Sequence, residues 1–290
     1  MIDHETGNAP NIGGNDGTYL FNYNQKDYRD FRPSLSLASS VFNTPIDNII
    51  KSDHCLMTIF SLNSQLIKKE IKLSKEYSLG GLKKLVRLRG KAILRIPKYY
   101  FRPSQSDALH LDIWQDGINW IRDSGSFSYA LIHTEQKNFS GTKGHSTIEF
   151  DGEDQMPKIS RFLYGNWLNP VKESFDDKKN IMSAGYKDQR GNSHFRDVKE
   201  IDNGWEIIDQ VEGPFKSVIS RWILKPGQWN INGNSISFRN TKIELESDEN
   251  FKFKLIDGFE SMHYMEKTSV PILEIELMNN CFIRTKILYR

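Results

Sequence analysis

The 290-residue chain is long enough for one large domain or two small ones, with a core large enough for stability. Its 39 basic and 37 acidic residues give a formal net charge of +2, which provides no global attraction to nucleic acid or membrane, although local basic patches remain able to hold an anionic ligand. With only Cys55 and Cys281, no disulfide framework or thiolate metal site is indicated, and no apolar run of about 18 residues predicts a membrane span.

The first 75 residues are predicted to be loop and short helix. The opening is rich in Asn, Gly, Asp and Pro and lacks the pattern of a signal peptide, so we expect a soluble chain without an export signal. Pro33 fits the first turn of a helix with an apolar stripe that ends at Phe42. A second short helix is predicted over about 46–62, and the basic stretch 66–75 is expected to be a linker or an edge strand.

Beyond a boundary near residue 76, short alternating segments follow one another at turn-punctuated intervals, which is typical of a β-sandwich. Strands are predicted at KKLVRLRG, KAILRIP, ISRFLYGNW, HFRDVKEI, WEIIDQVEG, KSVISRWIL, WNINGNSISF, TKIELES, FKFKLID, PILEIELMN and CFIRTKIL. The aromatic content of 12% suits a sandwich core and also the apolar faces of sugar rings.

A β-hairpin is predicted around Asp116-Gly117. This dipeptide favours the left-handed conformation of a two-residue turn, so 109–115 and 118–123 are expected to pair as strands. The alternation of apolar and polar residues on both sides of the turn supports the same assignment.

The register of this hairpin places an imidazole opposite a carboxylate. With a two-residue turn, paired positions sum to the same number, which puts His110 opposite Asp123 and Asp112 opposite Ile121. A second imidazole, His145, begins the alternating run HSTIEF, which ends in another Asp-Gly turn. Two histidines and an aspartate are therefore expected to converge on neighbouring strands.

Two stretches resemble a known family. DALHLDIWQDGINWIRDSGSFSY followed by GTKGHSTIEFDGEDQ is similar to the signature of the heparinase II/III-like family, polysaccharide lyases whose C-terminal half is a large β-sandwich. The shared pieces occur in the same order: a His-or-Gln-x-Asp entry, a hairpin with an Asp-Gly-type turn, an Asp-Ser/Pro-Gly-x-Tyr-Ser-Tyr segment, then His-Asn/Ser-Thr and Val-Asp-Gly-x-Asp-Gln. The combination is specific to the family.

The resemblance extends over nearly the whole chain. PNIGGNDGTYLF and DYRDFRP resemble the last loops and helices of the family's N-terminal α/α-toroid, and GFESMHYMEKTSVPILEIEL resembles the end of its sandwich. The expected fold class is therefore mainly β: a large antiparallel β-sandwich (supersandwich) over 76–290, preceded over 1–75 by a short helical remnant of the toroid. In the relatives the toroid contributes the catalytic Tyr and the Asn or His that neutralises the substrate carboxylate, which would lie upstream of Met1. The resemblance thus implies the C-terminal part of a lyase, as a fragment, a split gene or a reduced homologue.

The family's sandwich also holds a metal ion, usually zinc, through His, Asp and His beside the cleft. Matched residue by residue, Asp123 takes the Asp position, His145 the second His position and Gln105 the first. Because glutamine is a poor zinc ligand, calcium or manganese is an alternative to zinc. His110, opposite Asp123, would replace the missing imidazole. The alternative without metal is a hydrogen-bonded His-Asp pair across two strands.

The resemblance implies β-elimination next to a uronate, in which the carboxylate is neutralised, a base removes the C5 proton and an acid protonates the leaving oxygen. The family's catalytic His, two residues before the first metal ligand, corresponds to Pro103, which carries no acid-base group. Tyr28 is the phenol expected to substitute for the missing base, and His110 is the remaining imidazole. The chain by itself is therefore expected to lack a complete elimination site.

Substrate-binding candidates fall into two groups. Arg102, Arg122 and Lys143 flank the hairpin and the following turn, and fixed cations suit uronate carboxylates or sulfates. In the toroid-like opening, where the relatives place cleft-lining residues, the candidates are Asn15, Asp16 and Arg29. The alternatives are solvated surface charges in the first group and an opening loop packed on the sandwich in the second.

The sequence therefore predicts a lyase-like protein that cleaves an acidic, uronate-containing polysaccharide or oligosaccharide, such as a glycosaminoglycan or alginate. The alternative is a non-catalytic carbohydrate-binding or assembly module that needs an upstream toroid chain as partner. A hydrolase is a third reading, but no pattern fixes two carboxylates about 5 or 9 Å apart. The resemblance implies a periplasmic or extracellular location, and nothing in the sequence predicts a nucleic-acid partner.

Overall fold

The computed structural model describes residues 2, 6–15, 17, 27–47, 54–63, 66–67, 74–87 and 89–290. Packing of the backbone divides the chain into two compact units. The N-terminal unit comprises 1–10 and 17–73, and the sandwich unit comprises 11–16 and 74–290. The opening residues 11–16 thus group with the sandwich, although they lie within the predicted helical segment 1–75. None of the helices in the described residues is long and apolar enough to span a membrane.

The N-terminal unit contains α1 (Arg32–Phe42), β1 (Ile46–Asp47), α2 (Cys55–Ile59) and β2 (Leu66–Ile67), with β1 and β2 paired in parallel. Pro33 lies in the first turn of α1, which confirms the predicted helix. The second predicted helix, 46–62, is wrong at its start, because 46–47 form a strand. Its helical part is α2, which begins after His54, whose ring Nδ1 accepts the Leu56 amide at 3.1 Å. Residues 48–53 and 68–73 lie outside the described part of the chain.

The sandwich unit is built of strands, with one short helix, α3 (His133–Gln136). In chain order the strands are β3 (Lys75–Tyr77), β4 (Leu82–Arg87), β5 (Gly90–Arg95), β6 (Leu111–Gln115), β7 (Ile118–Ile121), β8 (Ile148–Phe150), β9 (Lys158–Ser160), β10 (Leu163–Tyr164), β11 (Pro170–Asp176), β12 (Ile181–Lys187), β13 (Ser193–Ile201), β14 (Gly204–Glu212), β15 (Val218–Ile223), β16 (Asn230–Asn232), β17 (Ser235–Phe238), β18 (Thr241–Ser247), β19 (Lys252–Glu260), β20 (Thr268–Leu277) and β21 (Cys281–Tyr289). The mainly antiparallel β architecture agrees with the predicted fold class.

Three large sheets share one hydrophobic core. An eight-stranded sheet has the order β11-β12-β13-β14-β21-β18-β17-β16, a four-stranded sheet the order β19-β20-β15-β8, and a five-stranded sheet the order β3-β4-β5-β6-β7. Burial alternates along β21, from Cys281 to Tyr289, as expected for a strand with one face on the core and one in solvent. Trp120, Trp205 and Trp222 are among the largest fully buried side chains. Each large apolar side chain buried in this way contributes about 1.5–3 kcal/mol.

The predicted hairpin turn is confirmed. Asp116 and Gly117 join β6 to β7 with φ angles of 54° and 71°, and two consecutive left-handed residues match the twist of the flanking strands. Gln115 pairs with Ile118 next to the turn.

The register beyond the turn differs from the prediction. A β-bulge shifts the pairing so that Ile121 lies opposite Ile113, and the predicted pairing of Asp112 with Ile121 is wrong by one residue. The extra residue is Trp120, which is 2% exposed and packs edge-on against Trp229, with ring centroids 6.2 Å apart. Burial of the indole determines this register, and the bulge turns the strand end that carries the site.

A second difference concerns ISRFLYGNW, predicted as one strand. The structure forms a short hairpin from β9 and β10, with Arg161 and Phe162 in its turn. The two residues at the turn are exposed, since neither has a core to face. The hairpin thereby presents a cation and an aromatic ring to solvent.

Candidate functional site

Three chain segments converge where β6 begins and β7 ends. His110 directly precedes β6, Asp123 follows β7 by two residues, and His145 follows a short 3-10 turn at Thr142–Gly144. All three side chains are fully buried. We call this group the His-Asp-His cluster.

The cluster is held by hydrogen bonds that Ser146 forms through its amide, its carbonyl and its hydroxyl. Its amide donates to Nδ1 of His110 at 3.0 Å, and its carbonyl accepts the amide of Leu111 at 3.2 Å. Its hydroxyl donates to the carbonyl of Arg122 at 3.0 Å. Because Ser146 adjoins His145, these bonds tie the segment of the second histidine to the segments of the first histidine and of Asp123.

Asp123 is the centre of the cluster. Its Oδ2 lies 2.8 Å from Nδ1 of His145 and 3.7 Å from Nε2 of His110. Its Oδ1 accepts the amide of Gly125 at 2.6 Å. The three side chains each offer a metal-ligand atom, and these atoms lie within 4.8 Å of one another. The convergence expected from the sequence is therefore present, although the register that led to it is not.

The two histidines differ in the partner of ring atom Nδ1, which is a backbone amide for His110 and the Asp123 carboxylate for His145. Nδ1 of His110 accepts an amide hydrogen, so the proton of the neutral ring lies on Nε2, the atom that faces Asp123. That nitrogen has no lone pair to give to a metal ion. It lies 3.7 Å from Oδ2 of Asp123 and 3.9 Å from Oδ2 of Asp112, and within the described residues it forms no hydrogen bond.

His145 has the opposite arrangement. Burial disfavours its charged form, but the Asp123 carboxylate outweighs burial, so the pKa of His145 is raised above its ordinary value. Within the part of the chain that the structure describes, its buried Nε2 has no hydrogen-bond partner. The nitrogen that faces Asp123 is Nδ1, on the other side of the ring from Nε2. A divalent cation shared by the two residues would therefore be held by Oδ2 of Asp123 and Nδ1 of His145, in place of the proton between them.

Gln105, predicted as a metal ligand, contacts backbone. Its Oε1 accepts the amide of Gly13 at 2.9 Å, and its Nε2 donates to the carbonyl of Gly125 at 3.4 Å. Since Gly125 donates to Asp123, Gln105 links the opening segment 11–15 to the cluster. Asn15 continues this contact, because its amide donates to Oγ of Ser126 at 3.0 Å.

Gln105 also lines a cavity of about 300 Å³ on the sandwich unit. Its cations are Arg102, Lys158 and Arg161, and its aromatic residues are Phe101, Tyr129, Phe139 and Phe162. No carboxylate occurs among its described lining residues. Phe101 is 82% exposed and Phe162 is 51% exposed, so both rings are accessible. Lys158 is fixed by Oε1 of Gln136 at 2.8 Å. We call this the cationic cavity.

Of the predicted binding residues, Arg102 lines the cationic cavity, but two other arginines are used elsewhere. Arg122 forms an ion pair with Glu260, which is 4% exposed on its side chain, so its charge is neutralised internally. Arg29 is buried in the N-terminal unit, where its guanidinium bonds Asn8 and the carbonyl of Ala9. Both guanidinium groups therefore have protein acceptors, and their assignment to substrate binding stays a prediction.

The remaining predicted site residues are Lys143, Tyr28, Asp16 and His110. Lys143 lies in the 3-10 turn before His145 and is half-buried, and Tyr28 is half-buried in the N-terminal unit. Asp16 lies outside the described residues. His110, predicted as a catalyst, is fully buried, and its catalytic role stays a prediction.

Sequence reasoning missed Lys158, Arg161 and the exposed ring of Phe162. The signal available in the sequence was the Arg-Phe pair inside ISRFLYGNW, where two exposed turn residues were read as strand interior. Pro103 also lines the cationic cavity.

Comparison with known proteins agrees with this architecture. The heparinase II/III-like C-terminal family matches residues 84–265. A search of curated proteins finds no match. Among solved structures, the heparan sulfate lyase HepC from Pedobacter heparinus superposes with a TM-score of 0.67 at 17% identity, covering 98% of this chain and 44% of that one.

Two further structures have the same fold. The heparinase III-BT4657 gene product matches with a TM-score of 0.63 at 18% identity over 80% of this chain and 38% of its own. A structure described as heparinase III matches with a TM-score of 0.61 at 14% identity over 96% of this chain and 46% of its own. The chain thus spans less than half the length of these solved structures.

The fold and the matched region define a polysaccharide-lyase type of β-sandwich. The chain belongs to the heparinase II/III-like C-terminal family.

Proposed function

We propose that this chain is the sandwich part of a lyase that binds an acidic, uronate-containing polysaccharide and takes part in its cleavage by β-elimination. The observation that carries the proposal is the cationic cavity, whose described lining holds three cations and no carboxylate. Family membership points to the same substrate class, and the similar HepC structure is described as a heparan sulfate lyase.

The cavity offers the two kinds of contact that a charged sugar needs. Arg102 and Arg161 are suited to bidentate bonds with a carboxylate or sulfate. The exposed rings of Phe101 and Phe162 supply flat apolar surfaces for the faces of pyranose rings. A neutral glycan would use only the second kind of contact, so it would bind more weakly.

In the proposed reaction a base removes the C5 proton of the uronate, the bond from C4 to the glycosidic oxygen breaks, and that oxygen receives a proton. The electron pair of the broken C–H bond becomes the C4–C5 double bond, so no water is consumed. Neutralisation of the carboxylate makes the C5 proton acidic, and this is the role we assign to the cavity arginines.

Asp123 and His145 are proposed to hold a divalent metal ion, with zinc as the first expectation and calcium or manganese as alternatives. Bound there, the ion would supply fixed positive charge and cross-link the two segments. Because Gln105 connects the cluster to the cavity lining, the cluster supports the shape of the cavity. Nε2 of His110 faces the same carboxylate from 3.7 Å.

A second candidate is a binding module without its own catalysis, working with a toroid chain. Two observations favour it: Pro103 occupies the cavity wall where the family resemblance places a catalytic histidine, and His110 is fully buried. Both candidates use the same cavity. They differ in whether this chain alone forms an unsaturated product.

The experiment combines a binding and a cleavage assay. The purified chain is titrated with heparan sulfate, alginate and a neutral glucan, and the ultraviolet absorbance of an unsaturated uronate is followed in the same samples. Binding of an acidic polymer, with rising absorbance, supports the lyase. Binding with a flat trace supports the module, and no preference for acidic over neutral polymer contradicts both.

A further inference from the structure

Arg196 connects the eight-stranded sheet to the His-Asp-His cluster. It lies on β13 and is fully buried, and its Nη1 donates to the carbonyl of Leu109 at 2.7 Å and to that of Ser146 at 2.8 Å. Leu109 directly precedes His110, and Ser146 directly follows His145. One nitrogen atom therefore bonds the peptide chain next to both histidines.

The bonded carbonyl of Leu109 belongs to a strained residue. Leu109 has φ of 57°, a left-handed conformation that is unfavourable for a residue with a Cβ. The conformation turns the chain immediately before His110, whose ring then reaches Asp123. Strain of this kind persists only where the surroundings hold it, and Arg196 provides one of the bonds that do so.

The guanidinium is itself fixed on its other sides. Its Nε and Nη2 bond the two carboxylate oxygens of Asp209 at 2.6 and 2.9 Å, and the group lies 4.8 Å from the ring centroid of Trp222. Nε2 of His194 lies 2.7 Å from Oδ1 of Asp209. A planar fork held by a carboxylate on one edge presents its remaining hydrogens in fixed directions. Such a group can determine where two loop segments lie.

We propose that Arg196 is a positioning residue for the His-Asp-His cluster. Because its Nη1 donates to the carbonyls of both Leu109 and Ser146, it sets the distance between His110 and His145 on either side of Asp123. The role assigned to metal binding rests on the proposed function, whereas the effect on the two rings does not. Lysine cannot replace the guanidinium, because one ammonium group cannot bond both carboxylate oxygens of Asp209 and both backbone carbonyls at the same time.

The test uses Arg196→Lys, which keeps the charge opposite Asp209. Its matched control is Lys83→Arg, because Lys83 is another buried cation that donates to two carbonyls, those of Ser174 and Ser183 at 2.9 and 3.2 Å. Zinc affinity is measured by competition with a chelating dye, and the nitrogen resonances of the histidine rings are recorded by NMR in metal-free protein. Melting temperatures are measured for both variants.

We expect Arg196→Lys to weaken zinc binding roughly 10-fold and to shift the ring resonances of His110 and His145. Lys83→Arg is expected to leave both unchanged even at an equal loss of melting temperature. Unchanged ring resonances in Arg196→Lys, or equal shifts in the two variants, would overturn the proposal. If the unmutated protein binds no zinc, zinc is excluded as the ion of the proposed function, while the ring resonances still decide the role of Arg196.

Discussion

Nδ1 of His145 lies 2.8 Å from Oδ2 of Asp123, a contact between buried side chains 22 positions apart in the chain. The same oxygen faces His110. A fully buried carboxylate is stable in its charged form only with such partners, because its desolvation costs several kcal/mol. Removal of one partner would leave an unpaired buried charge, so the contact matters for folding whether or not the cluster also binds an ion.

The first prediction concerns Asp123→Asn, which keeps the shape of the side chain and removes its charge. We expect a loss of about 2–4 kcal/mol in the free energy of unfolding and loss of bound metal, because His145 and the Gly125 amide lose a charged acceptor. Urea unfolding and elemental analysis measure the two effects. The control is Asp188→Asn, since Asp188 likewise accepts backbone amides, those of Arg190 and Asn192, but lies outside the cluster. Loss of stability without loss of metal in Asp123→Asn would contradict a metal role.

The second prediction is a pH dependence from His145. Its folded pKa is raised, so the folded state holds the proton more tightly than the unfolded chain does. Its contribution to stability is present below the unfolded pKa of about 6.5 and is lost as pH rises through the folded value. Metal-free protein and its His145→Gln variant are compared by urea unfolding. The stability advantage of the unmutated protein should be greater at acidic than at alkaline pH, and a constant difference would contradict the prediction.

The third prediction has the opposite sign and concerns His194. Burial outweighs the neighbouring Asp209 and lowers the pKa of His194, so protonation favours the unfolded chain. The stability of the unmutated protein relative to His194→Gln should therefore fall as pH drops through about 6.5. Titration of urea midpoints for both proteins measures this. An advantage that grows toward acidic pH would show that the ring is charged in the folded state.

Asp209 adds a further pH dependence of stability at lower pH. Burial opposes its ionisation, but the Arg196 guanidinium prevails and lowers the pKa of Asp209 to about 2. Relative to an unfolded value of about 3.9, this corresponds to about 2–3 kcal/mol of stability, present above that value and lost as pH falls toward 2. Acid unfolding of the protein should therefore steepen between about pH 4 and 2, and Asp209→Asn should remove that part of the dependence.

The turns and the limits of many strands can be predicted from local residue types. The left-handed preference of Asp116-Gly117 defines the hairpin turn, and the turn signals between alternating runs define the strands. The register of the hairpin depends on a contact that is distant in sequence, because Trp120 of β7 is buried against Trp229. An alternation pattern carries no information about which partner buries an indole.

The site shows the same division. Asp123 and His145 are found from a motif, whereas Arg196 is not, because HFRDVKEI predicts a strand without indicating which of its faces meets the core. In the structure His194 and Arg196 face the core, since Arg196 pairs across the sheet with Asp209. A buried charge on a strand becomes visible only when its partner strand is known.

The fourth prediction compares two glycines with similar backbone conformations. Gly125 has φ of 75° and Gly152 has φ of 71°. A Cβ on Gly125 would lie 2.3 Å from both Nδ2 of Asn11 and the carbonyl oxygen of Ser261, whereas a Cβ on Gly152 would meet nothing within 4 Å. Gly152→Ala should cost about 1 kcal/mol from the left-handed conformation alone. Gly125→Ala should cost more in urea unfolding and also weaken metal binding, because it displaces the amide bonded to Asp123. Equal losses of stability in the two variants would show that Asn11 and Ser261 move aside without destabilising the protein.

The last prediction concerns the cationic cavity. The double variant Arg102→Ala/Arg161→Ala removes two exposed charges beside the accessible rings, and each charged contact of this kind is worth about 1 kcal/mol, so affinity for heparan sulfate should fall roughly 10- to 30-fold. The control is Lys178→Ala/Lys179→Ala, which makes the same change in net charge on exposed residues outside the cavity. Affinity is measured at two salt concentrations, because screening should weaken binding of the unmutated protein and of the control much more than that of the cavity variant. Equal losses in both double variants would mean that the polymer follows net charge alone, and the cavity would then have no part in recognition.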